Sequence, residues 1–139
     1  MAQSGCVEVS LGFESGSETI LRRLNKKFTT TQVREASELL AEFGIRRMGF
    51  LLLGAPGETR ESVLESLEFA DSLKLDMLKL TTGIRIYPGT ELAEIAREEG
   101  VISAEDDLLT PRFYLAQGLD EWLGQTICTW MSGRPYCCT

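Results

Sequence analysis

Glycines and small polar residues recur at three places where the chain could bind a ligand. They lie at residues 14–17, 54–59 and 87–90, and each group follows a stretch with the pattern of a β-strand. Glycine lets a backbone approach a ligand closely, and small polar side chains can form hydrogen bonds with it. The pattern predicts a ligand site formed by these loops. Glu14 is a candidate contact because it continues the polar register of its strand into the loop.

Each of these residues also has a simpler interpretation. Ser17, Thr59 and Thr90 are well placed as helix N-caps, and Glu58 could interact with a helix dipole. The Pro-Gly pairs at 56–57 and 88–89 are common turn sequences. Residues 54–57 lack the Lys-Ser/Thr of a Walker A loop and do not match GxGxxG, so phosphate binding of those kinds is not expected.

The elements that would position these loops are three strand–helix units. Alternation of apolar and polar residues predicts a strand at 7–13, and an apolar run predicts a strand from 45 to 53 that is buried on both faces. A third strand is expected from about Met77 to Ile86. Helices are expected after each strand, including one at about 30–43. Strand and helix in alternation imply right-handed crossovers and a parallel α/β sheet, with the three loops along one rim.

Three units are too few to close a barrel, so we expect either a fragment or a domain that needs a partner surface. After a connector at 103–116, another amphipathic helix follows, and the last residues, 132–139, look irregular. The helix at 30–43 should bury one apolar stripe: Val33, Ala36, Leu39, Leu40 and Phe43. Trp122 and Trp130 are interpreted as core packing rather than a stacking platform.

Composition excludes several classes of function. The chain has 139 residues and a net charge of −7, which argues against a nucleic-acid or anionic-membrane surface. No apolar run is long enough to cross a bilayer, and no leader is evident, so we expect a cytoplasmic protein. The chain has no histidine, and its four cysteines lack metal-site spacing, so no metal site is predicted. Reduced thiols without a role are the simplest interpretation of these cysteines.

Three segments, in order, resemble radical S-adenosylmethionine (SAM) enzymes. Residues 5–17 resemble the fourth-strand segment of those barrels, with its Glu-Ser-Gly stretch. Residues 49–59 resemble the fifth strand and its G-x-P-G-E-T turn, and residues 86–92 resemble the sixth-strand ending, often YPGT. The resemblance covers about residues 5–102. The closest subgroup carries a cobalamin-binding domain and includes the anaerobic magnesium-protoporphyrin ester cyclase; tRNA methylthiotransferases and coproporphyrinogen oxidase relatives are similar in the same strands.

The resemblance implies a partial TIM-type barrel equivalent to strands 4–6, plus a C-terminal helix. Residues 1–102 would form the C-terminal half of the barrel, and residues 103–139 a connector and helix. Such enzymes use a [4Fe–4S] cluster and SAM to form a deoxyadenosyl radical, and this subgroup can also use cobalamin. By analogy, the SAM contacts would come from Glu14, Ser15 and Ser17 near its ribose or methionine part, Lys26 or Lys27 near its carboxylate, and Leu52, Leu53 and Gly54 near its adenine.

The chain departs from the family in having no CxxxCxxC, the motif that holds the cluster. It also begins where the fourth strand would begin. We therefore expect a fragment of an oxidoreductase or methyltransferase that acts on a small molecule, and we expect this polypeptide alone to be inactive. Two alternatives remain: a non-catalytic half barrel that associates through its open sheet edges, and an unrelated TIM-type segment.

Overall fold

A parallel sheet with helices between its strands forms the centre of the molecule, in a computed structural model that describes residues 5–139. The sheet places its first three strands side by side, all parallel. This confirms the predicted α/β fold with three strand–helix units. The elements are β1 Glu8–Glu14, α1 Glu18–Arg23, α2 Thr30–Glu42, β2 Arg46–Leu53, α3 Arg60–Ser72, β3 Met77–Thr82, and, in the third unit, β4 Ile84–Ile86 followed by α4 Glu91–Glu98.

The third predicted strand is not continuous. It is interrupted at Gly83, after which β4 leaves the sheet and pairs antiparallel with β5, Arg112–Tyr114. The prediction of one strand from 77 to 86 was therefore wrong. The cause is a long-range pairing: the register joins Ile84 to Tyr114, a contact with no local signal in the sequence.

The C-terminal residues are ordered against the sheet. After α5, Asp120–Met131, the short strand β6, Cys137–Cys138, pairs parallel with β3. Asp71 at the end of α3 anchors this segment, because its carboxylate accepts hydrogen bonds from Arg134 at 3.0 and 3.1 Å and from the Tyr136 hydroxyl at 2.6 Å. The predicted irregular end is confirmed for residues 132–136, which form turns, and is wrong for Cys137–Cys138, which cover the outer edge of β3.

Of the predicted capping residues, Thr59 and Thr90 cap their helices and Ser17 does not, and Thr29 caps α2 in the same way. The hydroxyls of Thr29, Thr59 and Thr90 each accept a hydrogen bond from a backbone amide in the first turn of their helix. Ser17 stands at the N-cap position of α1, but its side chain makes no capping hydrogen bond. Its backbone amide instead donates to the Ser15 hydroxyl.

The two faces of the sheet differ in burial. Leu51 and Leu53 of β2 are fully buried with Leu78 and Leu80 of β3. The opposite face carries Met48, Phe50 and Leu52, all partly exposed, and the exposed Lys79 and Thr81. Strand β2 is thus fully buried on one face only, contrary to the prediction: Leu51 and Leu53 share the core with Val63 and Leu67 of α3, whereas the residues of the other face stay partly exposed.

Helix α2 buries much less than the sequence predicts. Val33 is buried, but Leu39 and Phe43 are 55% and 63% exposed. The second buried position is Ser37 rather than a member of the predicted apolar stripe. On α5, in contrast, Trp122 and Trp130 pack against the core as predicted. Within residues 5–139, none of the helices is long and apolar enough to cross a membrane.

Candidate ligand site at the carboxyl ends of the strands

Strand β1 ends in a charged pair. Glu14 has a left-handed backbone conformation with φ of 65°, next to a register shift between Leu11 and Glu14. Its carboxylate Oε1 lies 3.5 Å from the Lys26 ammonium, and the two side chains are 29% and 31% exposed. The structure therefore brings together two of the predicted site residues, although they are 12 positions apart. The neighbouring Lys27 donates to Asn25 instead, at 2.7 Å.

The two serines after Glu14 serve the packing of the loop. Ser15 is fully buried, and its hydroxyl lies 3.0 Å from that of Ser66 on α3. The Ser66 hydroxyl also accepts from the Gly16 amide at 3.0 Å. Gly16 must lack a side chain, since a Cβ there would lie 2.5 Å from Phe69 Cβ. Neither Ser15 nor Ser17 is exposed at the rim, so the structure does not place their side chains for the predicted ligand contact.

Glu58 organises the loop after β2. Its Oε2 accepts hydrogen bonds from the Gly54 amide at 2.5 Å and the Ala55 amide at 3.0 Å, while the side chain is almost completely buried. Burial raises the pKa of this carboxyl, and the two backbone donors lower it by less. Its other oxygen, Oε1, is buried without a partner among the described residues. Glu58 therefore holds the loop from inside, a larger role than complementing a helix dipole.

Gly54 lies where three segments converge. Its φ of 95° is a conformation that side chains disfavour, and a Cβ there would collide with Leu115. Its carbonyl accepts from the Ala116 amide at 3.0 Å, and the Leu53 carbonyl accepts from the Gly83 amide at 2.8 Å. These carbonyls and the Gly54 amide are already bonded within the chain. A carbonyl oxygen can accept two hydrogen bonds, so the predicted contact of Leu53 and Gly54 with adenine stays a prediction.

Leu52 is the member of the predicted adenine contacts that faces the open side of the sheet. It is partly exposed and pairs in register with Thr81 of β3, and the preceding pair on that face is Phe50 with Lys79. Lys79 is an exposed cation on this face that the sequence analysis did not identify. The sequence could have predicted this position, because side chains alternate between the two faces of a strand and Lys79 must therefore face away from Leu78 and Leu80.

The described residues do not fit an iron–sulfur cluster. Among residues 5–139, no group of three or more His, Cys, Asp or Glu side chains could hold a metal ion. The free cysteines lie before β1 (Cys6), on α5 (Cys128) and in β6 (Cys137 and Cys138). Burial raises the pKa of the Cys137 thiol, which disfavours the thiolate that a metal needs. The Glu14–Lys26 pair and Leu52, in contrast, place charge and apolar surface, both partly exposed, at the carboxyl ends of β1 and β2.

Comparison with known proteins agrees with this architecture. The model of the Radical SAM superfamily matches residues 1–70. An uncharacterized methyltransferase of Pyrococcus horikoshii is 38% identical over 96 residues, which is 69% of this chain and 21% of the relative. A ribosomal protein uS12 methylthiotransferase of Geobacter sulfurreducens is 32% identical over 102 residues, which is 72% of this chain and 20% of the relative.

A solved structure has the same fold. The radical SAM methyltransferase TsrM of Kitasatospora setae, determined with cobalamin and a [4Fe–4S] cluster bound, superposes with a TM-score of 0.63 at 25% identity. The match covers 70% of this chain and 18% of that protein. The chain thus spans about a fifth of the length of these relatives. The family model covers half of the chain, and the parallel strand–helix units are those of the family's barrel: the chain belongs to the radical SAM superfamily.

Proposed function

We propose that the chain is the part of a radical SAM enzyme that contains barrel strands four to six, and that it supplies one side of the SAM site. The observation that carries this proposal is the Glu14–Lys26 pair at the carboxyl end of β1, 3.5 Å apart and partly exposed. Ligands of parallel α/β barrels bind at that end. The names of the relatives favour methyl or methylthio transfer as the reaction class.

Each proposed SAM contact follows from the chemistry of one side chain. The Glu14 carboxylate can accept hydrogen bonds from ribose hydroxyls, and the Lys26 ammonium can pair with the SAM carboxylate. Leu52 offers apolar contact to adenine on the open face of the sheet. Ser15, Ser17, Leu53 and Gly54 would support these contacts from behind, since the Ser15 hydroxyl, the Ser17 and Gly54 amides and the Leu53 and Gly54 carbonyls are bonded within the chain.

We propose that the residues that would hold a [4Fe–4S] cluster lie outside residues 5–139; in the whole enzyme such a cluster would supply the electron for cleavage of SAM. This follows from the absence of a metal-binding group in that range. We propose that residues 1–102 form the C-terminal half of the barrel and that residues 103–139 form a connector and helix after it. We also propose that this polypeptide alone is inactive. We further propose that the whole enzyme has a cobalamin-binding domain outside this chain, acts on a small-molecule substrate and is located in the cytoplasm.

Anaerobic reconstitution tests the proposal directly. The 139-residue chain and the full-length protein would each be incubated with iron and sulfide, and iron content and SAM affinity would be measured. We expect stoichiometric cluster and SAM binding in the full-length protein only. A cluster on the 139-residue chain would contradict the proposed division of the site, and a full-length protein that binds neither group would contradict the function.

A second candidate function is an interaction module. It is favoured by the position of β1 at one end of the four-stranded sheet and by an apolar hollow of about 250 Å³ beside it, lined by Leu11, Phe28 and Val33 among others. Three large apolar side chains are also exposed: Val7 directly before β1, Leu39 on α2, and Phe43 directly after α2. Unpaired edges and apolar surface promote association. Sedimentation of the chain with and without Leu39→Lys and Phe43→Glu tests this: association that is unaffected by both changes would contradict it.

A further inference from the structure

A groove beside the strand ends has the shape and lining of a binding site. It lies between the end of α1, the loop after β2, and helix α4, with a volume of about 660 Å³. Small-molecule sites in proteins have volumes of about 300–1,000 Å³. Because the loop after β2 lies at the carboxyl end of the sheet, the groove adjoins the proposed SAM site.

The floor of the groove is apolar. Five side chains from four different parts of the chain contribute to it, and all are partly exposed rather than buried: Leu24, Pro56, Ile84, Leu92 and Ile95. Leu92 and Ile95 are three residues apart on α4, so they present one continuous strip along the helix. A floor of this kind binds the apolar body of a ligand.

The charges around the groove are mainly negative. Glu91 and Glu98 are exposed on α4, and Glu99 follows at the end of the helix. The Glu99 carboxylate accepts a hydrogen bond from the Tyr114 hydroxyl at 2.7 Å, so it is held in place. Arg23 is the cation among the lining residues, and its guanidinium packs against Gly57. Three carboxylates and one guanidinium leave a net negative lining.

We propose that this groove binds a ligand with an apolar body and a positively charged group, and that it holds the part of the substrate remote from the reacting atom. That the ligand is the substrate of the enzyme rests on the proposed function; the groove adds the chemical class, an apolar cation. The apolar floor supplies contact area, while Glu91 and Glu98 select the cation. The same carboxylates would repel the phosphates of RNA, so a nucleic acid does not fit this groove.

A matched pair of probes tests the charge preference. Phenethylamine and phenylpropionate share an aromatic ring and differ in the sign of their charged group. Titrating each into the 139-residue chain, followed by backbone amide NMR, gives both affinity and location. We expect phenethylamine to bind about fivefold more tightly, with shifts at residues 91–99 and 56–57, since each exposed ion pair contributes at most about 1 kcal/mol. High salt should reduce the preference.

Variants separate the roles of charge and apolar contact. The double change Glu91→Gln and Glu98→Gln should bring the preference down to less than twofold, whereas Glu94→Gln, on the same helix but outside the groove, should leave it unchanged. Leu92→Ser should weaken both probes alike, and circular dichroism would verify that each variant is folded. Equal affinity for the two probes in the unchanged chain, or amide shifts outside the groove, would overturn the proposal. Since neither SAM nor a cluster is present, this outcome is independent of the test of the proposed function.

Discussion

The Glu14 carboxylate and the Lys26 ammonium lie 3.5 Å apart at the carboxyl end of β1, with each side chain about a third exposed. An exposed pair of this kind contributes at most about 1 kcal/mol to stability. The pair therefore adds little to stability, which leaves it free for the charged-ligand contact that we propose. Its left-handed Glu14 backbone, a conformation that is uncommon outside glycine, points to the same conclusion.

Replacing Lys26 should separate these two roles. In the full-length, reconstituted protein, Lys26→Met should weaken SAM binding about tenfold or more, because a charge-assisted hydrogen bond contributes about 1.5–3 kcal/mol. The free energy of unfolding of the 139-residue chain should change by less than about 1 kcal/mol. Isothermal titration and urea unfolding measure the two quantities. Lys27→Met is the matched control, and equal SAM affinities in the Lys26 variant and the parent would contradict the proposed contact.

Glu58 should matter to the fold more than any exposed carboxylate. Glu58→Ala removes the acceptor of the Gly54 and Ala55 amides, and two buried donors without partners cost about 2–4 kcal/mol in the free energy of unfolding. Glu58→Gln keeps an acceptor oxygen and should cost about 1 kcal/mol. Urea unfolding gives both values. Similar losses in the two variants would show that the backbone hydrogen bonds are not the cause.

The pH dependence of Glu58 has a defined sign. Burial raises its pKa in the folded chain, so the folded state binds more protons than the unfolded state between the two pKa values. The contribution of this group is therefore fully present below the unfolded pKa and is lost as pH rises through the folded pKa. Subtracting the unfolding free energy of Glu58→Gln from that of the parent at each pH should give a difference that falls with rising pH. A flat difference would contradict the raised pKa.

The central sheet could be predicted because its signals are local. Alternation in β1 and the apolar run of β2 are patterns within eight residues, and the helices after them begin at residues with good capping side chains. The order of the units then follows from the rule of right-handed crossovers. Burial of one face only could not be predicted, because it depends on whether a second layer covers Phe50 and Leu52.

The errors concern contacts between distant residues. The end of the chain looked irregular, yet Arg134 and Asp71 are 63 positions apart and form two hydrogen bonds that position β6. In the site, Glu14 and Lys26 were each predicted from a resemblance, but their contact was not. Ser15 was predicted as a ligand contact by analogy with the family, but its hydrogen bond with Ser66 of α3, 51 positions away, could not be predicted.

Gly54 and Leu115 should be energetically coupled. A side chain at Gly54 has an unfavourable φ and collides with Leu115, so Gly54→Ala should lower the free energy of unfolding by about 2 kcal/mol or more. Leu115→Ala removes the collision with a side chain at position 54, but the unfavourable φ at that position still lowers stability. In a double-mutant cycle, the double variant should therefore be more stable than the sum of the single effects by about 1 kcal/mol. Additive effects would contradict the contact.

Asp71 should control how firmly the C-terminal segment is held. Hydrogen bonds from Arg134, and then from the Tyr136 hydroxyl, lower the pKa of its carboxyl in the folded chain. Such a group contributes stability above its unfolded pKa, and the contribution is lost as pH falls through the folded pKa. Asp71→Asn should lower the free energy of unfolding by about 1 kcal/mol at neutral pH, since the Asp71 side chain is 42% exposed and solvent screens the pair.

The free energy of unfolding of the parent should exceed that of Asp71→Asn by less and less as pH falls. The corresponding difference for Glu58→Gln changes in the opposite direction, because it decreases as pH rises. Amide hydrogen exchange should localise the effect to β6 and the outer edge of β3, because Leu78 donates to the Tyr136 carbonyl at 2.8 Å. Glu68→Gln, an exposed change on the same helix, serves as the control. If Asp71→Asn left the exchange of the Leu78 amide unchanged, the anchor would have to lie in the packing of Trp130 and Tyr136 against the core rather than in the carboxylate.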